Sequence, residues 1–340
     1  MTELRVGLVG YGMAGRDIHA QLLRAAPGMR LTHVVTGDAV RAAQAEEDNP
    51  GVRVLAAPAD LWSAAGSVDL AVIASPGHVH VEQARAAVEH GLPVVVDKPL
   101  GLDAESARTV VDSARRLGVP MTVFQNRRWD SEHLTAREVL SSGVLGDVVR
   151  YEARFERWRP VPKDRWRENT PTDAGGGLLM DLHSHLVDGA IDLFGPVASV
   201  YAELAAVSTV GDDVAFLALR HQSGVTSHLS ATSLAGAPGP RTRLLGRDGA
   251  YLVAAITGEA TAYQEWADAD DDHRGWVVRG EQSEPVRRAP GGWGDFYTAV
   301  ADMVRGSAPP PVEPTEAVTV LTVLDAARRS ARERMTVELG

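Results

Sequence analysis

The sequence contains no cysteine, and aromatic side chains make up only 5% of its 340 residues. Without cysteine, disulfide bonds, thiolate nucleophiles and cysteine metal sites are all excluded. This composition fits a reducing compartment, and we expect the protein to be cytoplasmic. The length allows two domains, each with its own core.

Basic tracts and long apolar runs are also missing. The formal net charge is −11, and only short arginine runs offset it, which argues against nucleic-acid binding. No apolar run is long enough to cross a bilayer, and no charged-then-apolar leader precedes the first predicted strand, so no membrane partner is expected.

A glycine-rich turn follows the first predicted strand, Leu4–Val9. Glycines between a strand and a helix allow a tight turn and let a pyrophosphate approach the helix N-terminus closely. The sequence therefore predicts a dinucleotide-binding Rossmann domain. The predicted cofactor residues of this turn are Gly10, Tyr11, Gly12, Met13, Ala14 and Gly15.

The end of the second predicted strand, residues 31–35, bears on the choice between NAD and NADP. Thr36 stands where NAD enzymes usually carry an acidic residue for the adenosine ribose. Arg41 is positioned to bind a 2′-phosphate, whereas Asp38 would oppose one. We place Thr36 and Arg41 in the cofactor site, and the sequence leaves NAD versus NADP open.

Residues 68–74 form a nearly continuous apolar run, which is typical of a parallel strand buried on both faces. Ser75 and Pro76 follow it, and we expect this turn, together with His80, to line the nicotinamide pocket. His78 and His80 have too few neighbouring ligands for a metal site, so no metal is predicted.

A second buried run, residues 93–96, ends in Asp97 and Lys98, followed by Pro99. Ligands bind at this carboxyl edge of a doubly wound sheet. A desolvated lysine there can hydrogen-bond a substrate hydroxyl and favour its alkoxide. We therefore expect Asp97 to contact the cofactor and Lys98 to contact both cofactor and substrate.

The pattern of elements changes near residue 125. Alternating strands and helices over 1–124 predict an α/β domain, a doubly wound parallel sheet. Residues 125–340 predict an α+β domain with an open, mostly antiparallel sheet packed on helices, and its C-terminal helix can pack back on the first domain. Because an open sheet face needs cover, we expect a homodimer or homotetramer through this sheet.

Predicted strands in the second domain occupy short runs, whereas the acidic stretch 265–288 is expected to be a solvated loop. The runs are 146–156, 197–207, 214–221, 225–230, 241–245 and 250–254. A polar cluster begins at the domain boundary, where we expect Asn126 to contact the cofactor and Arg128 and Trp129 the substrate. The cationic segment 158–167 either folds over the cofactor, through Trp166, or forms an ordinary surface loop.

A second glycine-rich stretch, residues 175–177, opens a predicted helix and lets backbone approach a ligand closely. On that helix Asp181 and His185 stand one above the other at i, i+4, with Asp188 near them at i+7. A carboxylate and an imidazole side by side can hold an alcohol and accept its proton. The alternative interpretation is an ordinary half-buried ion pair.

Taken together, these elements resemble the Gfo/Idh/MocA family of NAD(P)-dependent oxidoreductases. The resemblance covers nearly the whole chain and depends on the glycine loop, the Asp97-Lys98-Pro99 tripeptide and the glycines before Asp181 and His185. The runs 126–130 and 165–168 are similar to the branch that contains NADP-dependent scyllo-inositol dehydrogenase. There are departures, because Asp97 replaces the usual glutamate and His183 replaces a common glycine, which adds a titratable group near the site.

The resemblance implies catalytic roles for Lys98, Asp181 and His185 at a reacting carbinol, which all three also bind. It predicts hydride transfer between NAD or NADP and a secondary hydroxyl of a cyclic polyol or sugar. Two other functions stay open on sequence alone. One is an NAD-dependent glycoside hydrolase of the same fold, and the other is a nucleotide-bound regulator without turnover.

Overall fold

The computed structural model describes residues 3–256 and 259–340. Contacts between Cα atoms divide the chain into two compact units. The first unit comprises Met1–Asn126 together with Gly292–Leu321, and the second comprises Arg127–Gly291 together with Thr322–Gly340. Two π-helices, Ala14–His19 and Leu179–His183, each follow one of the two glycine-rich stretches.

The first unit is built on a six-stranded parallel sheet. Its strands are β1 Leu4–Val9, β2 Met29–Val35, β3 Arg53–Leu55, β4 Leu70–Ile73, β5 Val94–Asp97 and β6 Met121–Phe124. They lie in the order β3-β2-β1-β4-β5-β6, so the chain crosses from one side of β1 to the other between β3 and β4. A ligand crevice is expected at that switch point, outside the carboxyl ends of β1 and β4. Every residue of β4 is buried, as its apolar run predicted.

Ten α-helices lie in the described residues. They are α1 Ala20–Ala25, α2 Ala39–Asp48, α3 Pro58–Ser63, α4 His80–Glu89, α5 Ala104–Leu117, α6 Ser131–Ser141, α7 Trp166–Asn169, α8 Ser184–Phe194, α9 Gly294–Val304 and α10 Pro314–Glu333. In α5 the Asp103 carboxylate accepts a hydrogen bond from the amide of Ser106 at 2.7 Å, and left-handed Gly118 ends the helix. Over residues 3–256 and 259–340, no helix combines the length and apolar character needed to cross a bilayer.

The second unit contains a nine-stranded open sheet, which confirms the predicted α+β architecture. Its strands are β7 Val148–Glu156, β8 Val197–Ala205, β9 Val214–His221, β10 Thr226–Thr232, β11 Thr242–Gly246, β12 Ala250–Val253, β13 His273–Arg279, β14 Gln282–Arg287 and β15 Val337–Glu338. The order is β14-β13-β12-β11-β7-β10-β9-β8-β15. Only the pair β10 and β7 is parallel among these described strands.

The prediction of a solvated loop over residues 265–288 is wrong, because β13 and β14 form a hairpin there. Gly280, with φ of +60°, makes the turn between them. β14 is the outermost strand of the sheet, and nearly all its residues are exposed. An edge strand tolerates charge and a proline such as Pro285, and this polarity hid the strand from a search for apolar alternation.

Candidate active site

The first glycine turn packs against the exit of β4 and is open on one side. Gly10 has φ of +95°, and a Cβ on it would lie 2.8 Å from both the carbonyl oxygen of Ala74 and the amide nitrogen of Ser75. A Cβ on Gly15 would overlap the carbonyl oxygen of Gly10. At Gly12, in contrast, a Cβ would meet no heavy atom within 4 Å. The turn therefore lies at the switch point of the sheet and leaves room beside Gly12 for a phosphate group.

Side-chain hydrogen bonds hold this turn in place. Tyr11 is buried; its hydroxyl donates to Asp48 at 3.0 Å and accepts from the Asn49 amide at 2.8 Å. The helix begins directly after the turn with the π-helix Ala14–His19, and π-turns occur often at functional sites. Backbone amides at the start of this helix, with the open side at Gly12, fit the pyrophosphate of a dinucleotide.

The acidic residue that follows β2, Asp38, belongs to the start of α2 and not to the end of the strand. Asp38 is the N-cap of α2, and its Oδ1 accepts from the amides of Val40 at 2.9 Å and Arg41 at 3.1 Å. These bonds, first that from Arg41, lower the pKa of Asp38. The Arg41 Nε lies 3.9 Å from the other carboxylate oxygen. Two backbone amides at the start of α2 are thus already taken by a carboxylate.

His80 joins the turn after β4 to the turn after β5. Its ring is buried, with Nε2 2.7 Å from the carbonyl oxygen of Ser75 and Nδ1 2.8 Å from that of Pro99. Burial lowers the pKa of His80, and the nearby Asp97 opposes that shift. The predicted nicotinamide-lining turn and the segment carrying Lys98 are therefore held together by one side chain.

Lys98 lies at the carboxyl end of β5, half-buried, and its amide donates to Oδ1 of Asp97 at 2.9 Å. Oδ1 of Asp97 also lies 3.8 Å from Nε2 of His19, whose Nδ1 is 2.6 Å from the hydroxyl of Tyr297. Burial alone would raise the pKa of Asp97, but His19, then Lys98 and His80, outweigh it and lower that pKa. An ionised carboxylate therefore lies among three basic groups at this edge of the sheet.

One helical segment of the second unit carries both Asp181 and His185. Leu179–His183 is a π-helix that continues directly into α8. Of residues 181–190, all are buried except Asp181 and His185, which are half-buried. The turn between them is wider than the α-helical turn we predicted, and the two side chains border different cavities of the second unit, His185 the smaller and Asp181 the larger. Such single π-helical turns, or π-bulges, occur often at functional sites.

The expectation that residues 175–177 admit a ligand is replaced by a structural role for two of these glycines. A Cβ on Gly176 would overlap the carbonyl oxygen of Thr170, and one on Gly177, with φ of +79°, would overlap the Asp212 carboxylate. That carboxylate accepts from the Thr172 hydroxyl at 2.8 Å and from the amide of Leu179 at 2.7 Å. The glycines thus let Asp212 hold the start of the helix that carries Asp181.

His183, the titratable group that the sequence adds near the site, lies in the core of the second unit. It is fully buried, and its Nε2 lies 3.3 Å from the carbonyl oxygen of Leu229 on β10. Burial lowers its pKa to about 4. The side chain belongs to the core between the helix and the sheet.

A small cavity of about 40 Å³ borders His185 within the second unit. Arg128 lines it and makes a two-pronged ion pair with Asp188, with N···O distances of 2.9 and 2.7 Å. Burial raises the pKa of Asp188, and the ion pair with Arg128 offsets this only in part. Asp188 therefore faces Arg128, and this contact positions the guanidinium that we assigned to substrate binding.

Asp181 pairs with Arg167, which lies in the run 165–168 named above but was not assigned a site role from the sequence. Their side chains approach to 3.1 Å between Nη1 and Oδ2. The same guanidinium lies 5.6 Å from the ring centre of Trp166, which is 43% exposed. Clustering of arginines over residues 157–167 is the signal that would have found Arg167.

The remaining predicted residues fall in separate places. Asn126 is buried in the first unit, Trp129 is half-buried in the second, and Thr36 is half-buried beyond β2. Within the described ranges, no group of three or more His, Asp or Glu side chains is arranged to hold a metal ion. The roles of Thr36, Asn126 and Trp129 stay predictions.

A parallel sheet with this strand order, a glycine turn at its switch point and a lysine at its carboxyl edge define the class of dinucleotide-binding oxidoreductases. Comparison with known families agrees. Residues 4–125 match the oxidoreductase family with an NAD-binding Rossmann fold, and residues 133–252 match the GFO/IDH/MocA C-terminal domain. The chain belongs to the Gfo/Idh/MocA family of oxidoreductases, and its cofactor is NAD or NADP.

Relatives span the whole chain. The oxidoreductase YdgJ of Escherichia coli is 34% identical, with 99% of each chain covered. The NADP-dependent scyllo-inositol 2-dehydrogenase IolW of Bacillus subtilis is 28% identical, over 100% of this chain and 97% of that one. The solved structure of the B. subtilis oxidoreductase YvaA has a TM-score of 0.88 at 27% identity and covers 100% of this chain and 99% of its own.

Proposed function

We propose that the protein is a dehydrogenase that transfers a hydride between NAD and a secondary hydroxyl of a cyclic polyol or sugar. The observation that carries this is the segment 181–190, which is buried except at a carboxylate and an imidazole. A hydroxylated substrate needs such a pair, one group to accept its proton and one to hydrogen-bond a neighbouring hydroxyl. The similarity to IolW, a dehydrogenase named for a cyclic polyol, supports the same substrate class.

Each side chain has a defined task in this proposal, assigned from the family resemblance. His185 accepts the proton of the reacting hydroxyl, and Lys98 stabilises the alkoxide that forms. Asp181, positioned by Arg167, hydrogen-bonds an adjacent hydroxyl and fixes which carbon reacts. The bound nicotinamide supplies the hydride acceptor or donor.

We further propose NAD, and not NADP, as the preferred cofactor. Asp38 places a negative charge at the start of α2 and occupies the amides of Val40 and Arg41. A 2′-phosphate would meet this carboxylate, whereas the two hydroxyls of an unmodified ribose can donate hydrogen bonds to it. Arg41 alone does not reverse this preference, because it lies beside the same carboxylate.

The test of the proposed function is a cofactor-reduction screen. The purified protein is incubated with NAD or NADP and with inositols, aldoses and sugar acids, and reduced cofactor is measured by its absorbance. We expect reduction of NAD by at least one cyclic polyol or sugar. Cofactor that stays tightly bound, with cleavage of an added glycoside and no net reduction, would instead support glycoside hydrolysis.

A further inference from the structure

A second, larger cavity in the second unit has an excess of positive charge. Its volume is about 240 Å³, and Asp181 is part of its wall. Five cationic side chains line it, namely Arg157, Arg159, Lys163, Arg165 and Arg167. Four acidic side chains line it as well, namely Glu168, Asp181, Asp212 and Asp213. We call it the Arg157 cavity.

Two of the acids in the wall are neutralised by two of the arginines. Arg165 forms an ion pair with Glu168, three residues further along the chain. Arg167 forms an ion pair with Asp181 at 3.1 Å. These four charges therefore cancel in pairs.

The other two acids are held by their own surroundings. Asp212 binds the Thr172 hydroxyl and the amide of Leu179, as described above. Asp213 accepts from the amides of Val207 at 2.7 Å and Ser208 at 2.8 Å, and from the Ser208 hydroxyl. Both carboxylates are buried and point into loop backbone. Their hydrogen-bonding capacity is used within the protein.

Three cationic side chains of the Arg157 cavity are not accounted for by these ion pairs. Within residues 3–256 and 259–340, neither Arg157, Arg159 nor Lys163 forms an ion pair with an acidic side chain. The acids that act on Arg157 most strongly, Glu259 and Asp181, are themselves paired with other arginines. Burial, and then the charge of Arg159, lower the pKa of Arg157. A half-buried cation without a counter-ion is costly unless a ligand supplies one.

The backbone holds these cations in place. The amide of Arg157 donates to the carbonyl oxygen of Thr232 at 2.9 Å, and that of Arg159 donates to Ser233 at 2.7 Å. The carbonyl oxygen of Arg157 accepts from the amide of Ala235 at 3.0 Å. The segment after β7 is thus tied to the segment after β10. The side chains of Arg157 and Arg159 extend from backbone that is held by these hydrogen bonds. Part of the conformational entropy of ordering them is therefore already lost before a ligand binds.

We infer that the Arg157 cavity binds a carboxylate or phosphate group of the substrate, so that the substrate is an acidic sugar or polyol. The inference rests on the proposed function, because Asp181, assigned there to a substrate hydroxyl, borders the same cavity. Guanidinium groups bind both anions through paired N–H donors, and Lys163 adds a point charge. In a chain of net charge −11, this local excess of cations marks where an anion binds.

The test compares matched ligands by titration calorimetry on the protein loaded with NADH, so that an alcohol is bound but not oxidised. The pairs are galacturonate with galactose, and glucose 6-phosphate with glucose. We expect an acidic member to bind about tenfold or more tightly than its neutral partner. A gain for galacturonate identifies a carboxylate as the anion, and a gain for glucose 6-phosphate identifies a phosphate. Equal affinities in both pairs would overturn the inference.

Arg157→Gln is the diagnostic variant, because it removes the charge and keeps a polar side chain. We expect it to abolish most of the gain for the acidic ligand and to leave the affinity of the neutral partner unchanged. The matched control is Arg247→Gln, an exposed arginine that pairs with Asp248. The control should retain the full gain. An undiminished gain in Arg157→Gln would contradict the assignment.

A second readout does not depend on any substitution. The chain has two lysines, Lys98 and Lys163. Amine labelling followed by peptide mass spectrometry reports each one separately. A saturating acidic ligand should slow labelling of Lys163 more than its neutral partner does, and an unchanged rate would count against the cavity.

The two proposals fail in distinguishable ways. If neutral polyols are oxidised and no acidic ligand is preferred, the dehydrogenase stands and the anion site is wrong. If acidic ligands bind with the predicted dependence on Arg157 but none is oxidised, the anion site stands and the proposed function is wrong.

Discussion

At the scale of single residues, we propose that the position of the Asp38 carboxylate sets the preference for NAD over NADP. Asp38→Ser keeps a good N-cap for α2 but removes the charge at the site where a 2′-phosphate would approach. We expect the ratio of kcat/KM for NAD to that for NADP to fall by about tenfold or more, because NADP improves. Asp103→Ser, at the N-cap of α5, is the control. An unchanged ratio in Asp38→Ser would contradict the preference for NAD.

We expect His80 to position Lys98, because it holds the turn after β4 and the turn after β5 together. His80→Ala removes the ring whose two nitrogens lie within hydrogen-bond distance of the carbonyl oxygens of Ser75 and Pro99, and a buried gap remains. We expect the free energy of unfolding to fall by about 2–4 kcal/mol in urea denaturation, with a lower kcat in the remaining folded protein. His78→Ala, two residues earlier and exposed, should change neither quantity. Equal stability of the two variants would show that His80 is no tether.

Residues close together in sequence were the easier ones to assign. Gly10, Gly12 and Gly15 follow one strand and precede one helix, so their local pattern predicts the turn they form. Gly177 was given a ligand-approach role, because its actual neighbour, Asp212, comes 35 positions later and no local pattern joins them. The partner of Asp181, Arg167, was missed for the same reason. It lies on α7, outside the glycine-rich segment that carries the motif.

At the scale of elements, the helix with Asp181 and His185 is attached to the sheet through a neutral histidine. The folded pKa of His183, about 4, lies below the ordinary value of 6.5, so the unfolded chain binds its proton first as the pH falls. Stability is therefore lost between about pH 6.5 and pH 4, and is fully present above that window. This group alone contributes about 3 kcal/mol across the window, as an order of magnitude.

The measurement is urea denaturation at about pH 7 and about pH 4.5. His183→Leu should lose less stability between the two values than the original protein does, because the buried titrating group is gone. His78→Leu, which changes an exposed histidine, should keep the original pH dependence. Identical pH dependence in His183→Leu and the original protein would contradict the burial argument.

Elements with an apolar face were predicted closely, and elements at an edge were not. The ends of α5, Ala104–Leu117, are marked in the sequence by the cap residues Asp103 and Gly118 around an amphipathic pattern. β9 likewise spans the predicted residues 214 to 221. β14 has no buried face, and its charges and Pro285 follow from its place at the sheet edge. Edge position depends on strand order, which a single strand does not encode.

At the scale of the whole molecule, the open sheet of the second unit leaves one face partly exposed. Along β10, buried residues alternate with half-buried ones such as His228, which packs against Phe216 on β9 at 5.9 Å between ring centres. We propose that a second copy of the chain covers this face, since the half-buried rings of Phe216 and His228 lie on it. Light scattering should then give the mass of a dimer or tetramer. Phe216→Asp should lower that mass, and a monomeric original protein would contradict the proposal.

The course of the chain between the units could not be predicted from local patterns. Segment Gly292–Leu321 belongs with the N-terminal residues, where Tyr297 on α9 reaches His19 and the carbonyl of Val312 accepts from Thr122 at 2.8 Å. These contacts join residues more than a hundred positions apart. The family resemblance depends on the order and spacing of motifs, so it can be recognised from the sequence without knowing these contacts.

The proposed function assigns Lys98 and His185 to one substrate hydroxyl. The most direct measurement is a double-variant cycle of Lys98→Met and His185→Gln, with kcat/KM and the Kd for NAD determined for each protein. Each single variant should lose about 10²–10⁴ of kcat/KM, while the Kd for NAD changes by a far smaller factor. The double variant should then lose little more than the worse single variant. Losses that multiply, or a loss of NAD binding that accounts for the loss of turnover, would contradict the claim.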